Sequence, residues 1–169
     1  MEHNDNISER AKALTMMYGT RDPFRIADEL GINIMYTDAL NRLKGMYRVI
    51  KRNRFIILNG KNSEQMSRIV CAHELGHDQL HREYAGTQAL HEFVLYDMST
   101  RREYEANVFA ACLLLDDDEI LELIKQGMDT VQIAAATCTD INLVALKVDC
   151  LIREGHRLYS QEHDSKFLK

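Results

Sequence analysis

Proline is almost absent from this 169-residue chain: Pro23 is the only one, and no proline-rich linker divides the sequence. Internal repeats and low-complexity tracts are missing too. No apolar run approaches the roughly 20 residues of a bilayer-spanning helix, and the stretch from Met1 to Glu9 is too polar and charged for a secretory signal. These absences predict a cytoplasmic protein without a membrane segment. Excess positive charge is lacking as well, since the net charge of -5 at neutral pH argues against a nonspecific nucleic-acid binder. The four cysteines, Cys71, Cys112, Cys138 and Cys150, form no C-x-x-C pair, and each lies in an apolar, helix-like context. Reduced thiols are expected, with Cys71 a small buried hydrophobe.

What is present is 46% hydrophobic residues, enough at this length for one core and one domain spanning 1–169. Within it, 1–31 reads as N-terminal helices, 32–115 as a sheet with two functional helices, 116–155 as a C-terminal helical subdomain and 156–169 as a polar tail expected to fray. Ile7, Ala11, Leu14, Met17 and Tyr18 mark an amphipathic helix, and a second runs from Asp22 as cap through Pro23 to Gly31 as terminator. Ile32, Ile34 and Tyr36 alternate as a strand does. Further strands are expected from Gly45 to Ile50 and from Arg54 to Leu58, joined by a short turn containing Asn53. The fold class is α+β, mainly helical, with a small three-stranded antiparallel sheet beside the helix described next.

Residues 73 to 77 read His73, Glu74, Leu75, Gly76, His77, the His-Glu-x-x-His pattern of zinc peptidases. On a helix the two histidines lie about 40° apart and one turn removed, so both imidazoles can reach one ion. Glu74 falls too far round to share the metal but close enough to a solvent molecule in its open position, where a general base belongs. Ser63 is placed to cap this helix, and Met66, Ile69, Val70, Cys71, Ala72, Leu75 and Leu80 make it apolar nearly all round. Burial of three polar groups without partners would cost several kcal/mol, which weighs against a merely structural role.

A catalytic zinc needs a third protein ligand and an open fourth position. The candidates are His81, His91, Glu92, Glu103 and Glu105. His81 stands two turns from His73, and one straight helix cannot wrap three ligands around an ion, so a supporting or helix-end role fits it better. In Arg101 to Leu115 the residues Ala106, Phe109, Ala110, Leu113 and Leu114 form a buried helical stripe, with Glu103 and Asn107 on its edge and Glu105 well off it. Geometry therefore favours Glu103 over Glu105. A capping box with Thr100 is the alternative use of Glu103.

Together the HELGH run and the helix from Glu103 to Ala111 resemble the ImmA/IrrE family of zinc metallopeptidases, over roughly Asp22 to Glu154. The resemblance implies that His73, His77 and Glu103 hold Zn2+, that Glu74 is the catalytic base, and that Asn107 supports a ligand histidine. It further implies an endopeptidase cleaving a specific helix-turn-helix repressor in a phage, mobile element or stress regulon, thereby relieving repression. The other reading is an antirepressor that binds the repressor stoichiometrically without cutting it. Where the family often ends this helix in a Leu-Met-Pro type sequence, Leu113, Leu114 and Leu115 here run into Asp116, Asp117 and Asp118, which can cap the next helix.

Three more helices are expected at Asp118 to Gln126, Asp129 to Ala136 and Asn142 to Arg153. The last two have the size of a helix-turn-helix, but Asn142, Leu143, Val144, Ala145, Leu146, Lys147, Val148, Asp149 is core-like, so no direct nucleic-acid contact is expected. Phe55 to Leu58 is the expected sheet edge for an extended substrate. Tyr84, Tyr96 and Tyr104 are the tyrosines considered for stabilising an oxyanion.

Overall fold

The computed structural model describes residues 2–84 and 100–158, apart from the side chains of 2–5 and 84. In chain order come α1 (Glu2–Tyr18), α2 (Pro23–Glu29), β1 (Asn33–Thr37), β2 (Gly45–Ile50), β3 (Asn53–Asn59), α3 (Glu64–Leu80), α4 (Arg101–Leu114), α5 (Asp117–Lys125), α6 (Thr130–Ala136) and α7 (Ile141–Arg153). This is the mainly helical α+β class that hydrophobic periodicity predicts.

Cap chemistry explains the boundaries. Asp22, Ser63, Thr100, Asp116, Asp129 and Asp140 each sit in extended backbone, and each side chain accepts a main-chain N–H of the helix that follows. The aspartate run after Leu115 therefore does what a proline start would do elsewhere, with Asp116 accepting from the Asp118 and Glu119 N–H groups. Arg21 locks this junction to the end of α1: its guanidinium donates to the carbonyls of Cys112, Leu113 and Leu115 at the end of α4 and pairs with Asp116 at 2.5 Å.

The sheet corrects two expectations. Its order is β1-β3-β2, with β2 and β3 antiparallel but β1 and β3 parallel, so it is mixed rather than antiparallel. Consequently Phe55 to Leu58 lies in the central strand, and the edges among the described residues are β1 and β2. Alternation identifies strands without saying which pair together. Here β1 packs on α2 while β2 packs on α3, and the tight β2–β3 hairpin leaves β3 between them. Asn59 and Asn62 hold the β1–β2 connection by donating to the carbonyls of Leu43 and Lys44.

The core lies where α3 and α4 cross, between the sheet and α1 and α7. α7 buries Leu143, Val144, Leu146, Cys150 and Leu151 against it. Lys147 is buried as well, its ammonium paired with Asp117, so it serves the core rather than offering a charge outward. Cys71, Cys112 and Cys150 are buried free thiols as expected of small hydrophobes. Cys138 is different: it is exposed, with φ 49°, in the turn after α6 rather than inside an apolar helix. No helix among the described residues is long and apolar enough to cross a membrane.

Candidate metal centre

α3 carries the HELGH run into the interior. Ile69, Val70, Ala72 and Leu75 bury it on several sides, which leaves His73, Glu74 and His77 only 1%, 0% and 3% exposed. α4 arrives across it with Ala106 close against Gly76. A Cβ on Gly76 would stand 3.0 Å from the Cα and 3.1 Å from the carbonyl oxygen of Ala106, so any other residue would need the α4 backbone to give by a few tenths of an ångström. Ala106 lies one turn beyond Glu103, and the crossing therefore delivers the Glu103 carboxylate to the histidines. Thr100 accepts the Glu103 N–H at 3.3 Å and sets where α4 begins, while the Glu103 side chain turns to His73 and His77.

Two imidazole nitrogens and the two oxygens of one carboxylate converge there. His73 Nε2 and His77 Nε2 are 3.1 Å apart, His73 Nε2 is 3.1 Å from Glu103 Oε2, and His77 Nε2 is 3.4 Å from Glu103 Oε1. Donors around a tetrahedral zinc with bonds of about 2.0–2.1 Å stand about 3.3–3.4 Å from one another, and each imidazole approaches the other ring and one Glu103 oxygen at about that spacing, with one donor atom from each residue within 4.8 Å of the others.

The groups behind the histidines decide which ring nitrogen faces inward. His73 Nδ1 lies 2.9 Å from Asn107 Oδ1, an acceptor, so Nδ1 carries the proton and Nε2 keeps its lone pair. His77 Nδ1 lies 3.1 Å from His81 Nδ1; His81 Nε2 lies 2.9 Å from Glu105 Oε2; Arg101 Nε donates to Glu105 Oε1 at 2.6 Å. A carboxylate held by Arg101 accepts, so His81 donates from Nε2 and accepts at Nδ1, and His77 donates from Nδ1. Both rings then turn a bare Nε2 toward Glu103. Bare nitrogens facing each other beside a carboxylate call for a cation between them, and the donor set fits one.

Charge states agree. Burial pushes His77 down to about 4 despite the nearby carboxylate, which keeps the ring neutral. Burial alone would raise Glu103, but its contacts with the His73 and His77 rings outweigh that and hold it well below the usual carboxylate range. A neutral imidazole and an ionised carboxylate are the forms a divalent ion takes. Glu74 is the opposite case: burial, then the charge of Glu103, push it well above its usual value, and the backbone N–H of Tyr47 offsets only part of this. Both Glu74 oxygens are sealed from solvent and make no close hydrogen bond.

Tyr47 ties this corner together. Its buried hydroxyl donates to Asp78 at 2.7 Å, and Asp78 also accepts from Arg54 at 3.1 Å and Arg82 at 2.8 Å. The ring of β2 is thereby fastened to α3 one residue beyond His77.

His73, His77 and Glu103 are thus brought together, with Glu74 adjacent and His81 behind His77. Glu105 is not at the metal face; it is buried and anchors His81, a role its angle on the helix did not suggest. Asp78 and Tyr47 also escaped sequence reading, because their pairing spans 31 residues. His91, Glu92 and Tyr96 lie outside the described residues, as does the side chain of Tyr84. Tyr104 is half-buried against the core.

Comparison with known proteins places this geometry. The IrrE N-terminal-like domain model matches residues 27–144. An "Uncharacterized immunity region protein 2" of Bacillus phage phi105 is 35% identical over 111 residues, covering 66% of this chain and 69% of that protein. "Metallopeptidase ImmA" of Bacillus subtilis (strain 168) is 27% identical over 159 residues, covering 92% of both. No solved structure matches. The family match runs from α2 into α7 and contains every residue of the metal cluster, and the chain belongs to the IrrE N-terminal-like domain family.

Proposed function

We propose that this protein is a zinc-dependent endopeptidase that cleaves a specific helix-turn-helix repressor and so relieves repression. The observation that carries the reading is the cluster of His73, His77 and Glu103 with the buried Glu74 beside it. Support for the regulatory setting comes from the likeness to an immunity region protein of a phage and to a metallopeptidase.

Zinc held by the cluster would supply Lewis acidity, lowering the pKa of a water toward about 7 and polarising the scissile carbonyl. Glu74 takes the proton of the attacking water on its carboxylate and passes it to the departing amine, so no covalent enzyme intermediate is needed. Its raised proton affinity suits that exchange. Asn107 and the His81–Glu105–Arg101 chain hold the two imidazoles in the tautomer and orientation the ion requires.

The substrate edge moves from β3 to β2. Asn59 N donates to Lys44 O at 2.9 Å, in the register that pairs Gly45 with Leu58. Hydrogen-bonded and open pairs alternate in an antiparallel ladder, so Met46 and Arg48 bond to β3 while Tyr47 and Val49 turn their N–H and C=O groups outward. Tyr47 directs its N–H at Glu74. A peptide added along this edge would lie beside the base.

The test is incubation of the zinc-supplemented protein with the repressor encoded beside it, read by mass spectrometry of fragments and by metal content. Specific fragments from wild type and none from Glu74→Gln are expected. Derepression at one-to-one stoichiometry with an intact repressor would instead establish the non-cleaving antirepressor.

A further inference from the structure

The chain is acidic overall, with net charge -5, yet from Ala39 to Ser63 it holds no Asp or Glu. Arg42, Lys44, Arg48, Lys51, Arg52 and Lys61 all fall in this stretch, together with Arg54. This is β2, its hairpin turn and the flanking connections. Arg42, Lys51, Arg52 and Lys61 are exposed, and Lys44 and Arg48 are half-exposed. Of these seven cations only Arg54 has an ion-pair partner among the described residues, Asp78. Among the described residues the remainder form a strip of unpaired positive charge along β2, the strand whose Tyr47 N–H lies toward Glu74.

The turn itself is costly for what it contains. Ile50 and Asn53 close a two-residue hairpin whose central residues, Lys51 and Arg52, have φ of 49° and 69°. Such a turn favours Asn and Gly, because a side chain in the left-handed region crowds its own backbone. Two long cations stand there instead. Strain held by charged side chains at the end of an open edge points to a binding use.

We propose that the outer edge of β2, with its Lys51–Arg52 turn, docks an extended acidic peptide segment: the Val49 N–H and the carbonyls of Tyr47 and Val49 pair with it, and the surrounding cations select Asp and Glu. The inference deepens the peptidase reading and rests on it for what the docked segment is, namely the part of the substrate next to the cleaved bond. A nucleic-acid strand would feel the same charge, but it has no amides to exchange hydrogen bonds with a strand edge. The peptide is therefore the better fit.

The experiment measures binding without turnover. Labelled peptides of alternating apolar and Glu residues, and their Gln and Lys counterparts, are titrated against the zinc-supplemented Glu74→Gln protein by fluorescence anisotropy. The Glu peptide is expected to bind about tenfold more tightly than the Gln peptide at about 0.05 M salt, narrowing to about twofold at about 0.5 M. Arg48→Glu combined with Lys51→Glu should abolish or invert the preference. A second variant guards against misfolding: Lys51→Asn with Arg52→Gly suits the turn better, so it should melt higher than its parent while binding the Glu peptide less tightly. Equal affinity for Glu and Gln peptides, or a preference untouched by both variants, overturns the proposal. A DNA or RNA oligomer displacing the peptide at lower concentration than the peptide itself overturns it in favour of nucleic acid. Cleavage without acidic preference would sink this inference alone, whereas acidic-peptide binding without any cleavage would sink the peptidase reading and leave the docking edge standing.

Discussion

Gly76 of α3 meets Ala106 of α4 at backbone contact, and this crossing is what sets Glu103 against His73 and His77. Gly76→Ala must push the helices apart or strain them. Such overpacking should destabilise the fold by about 1–3 kcal/mol and, because Glu103 moves with α4, weaken metal binding at the same time. Thermal melts with and without zinc measure both. Unchanged zinc affinity in the substituted protein would show that the crossing does not position the carboxylate.

The His77–His81–Glu105 chain gives a second expectation. His81→Ala removes the acceptor for the His77 Nδ1 proton, and Glu105→Gln loosens the ring that supplies it. Each should lower metal affinity by about 10–100-fold while the far-ultraviolet spectrum stays unchanged. Competition with a chromophoric chelator reads this directly; native affinity in both variants would remove the chain from the account of the site.

Glu74→Gln keeps the shape of the site and deletes the base. Zinc content should remain stoichiometric while cleavage falls by about a hundred- to ten-thousand-fold. His77→Ala should lose metal and cleavage together. Substantial turnover by Glu74→Gln would mean that another group moves the proton.

Metal-free protein should report the burial of Glu74 through pH. Its folded-state proton affinity is raised above the ordinary 4.5, chiefly by burial and then by Glu103. Between those two values the folded state holds more protons than the unfolded chain, so the contribution of Glu74 to stability is present below about 4.5 and is lost as pH rises through the raised value. Glu74→Gln cannot titrate, and its stability relative to wild type should grow with pH between about 4.5 and the raised value and level off above it. Urea unfolding of both chelated proteins at mildly acidic and mildly alkaline pH checks the sign, and a constant difference between them would contradict it.

Val49→Pro tests the β2 edge. The Val49 N–H points outward and takes no part in the ladder with β3, so proline is tolerable there in a way it is not at Arg48. Folding should survive and KM rise severalfold, since one main-chain bond to the peptide is lost. Wild-type kinetics in this variant would exclude peptide addition along β2.

Local chemistry was legible in the residues. Ser63, Thr100 and Asp116 announce helix starts because a short oxygen-bearing side chain satisfies main-chain N–H groups that would otherwise lack partners. His73 and His77 announce a metal-binding face because helical spacing alone puts them on one side. Glu103 could be ranked above Glu105 from its place on a buried stripe, though its delivery to the histidines depends on another helix. Strand segments were readable from alternation, but the position of β3 between β1 and β2 was not, since register along a strand says nothing about its neighbours. Glu105, Asp78 and Tyr47 acquire their roles only from partners 24 or 31 residues away.

By itself, then, the amino-acid order determined the helices, their caps, the paired histidines and the adjoining Glu74, because each depends on interactions within one or two turns of chain. Tertiary structure decided the rest: which carboxylate joins the two histidines, which tautomer each histidine takes, and which strand of the sheet lies beside Glu74. Those depend on the α3–α4 crossing at Gly76 and on packing of β2 against α3, contacts whose energies arise only when distant segments meet.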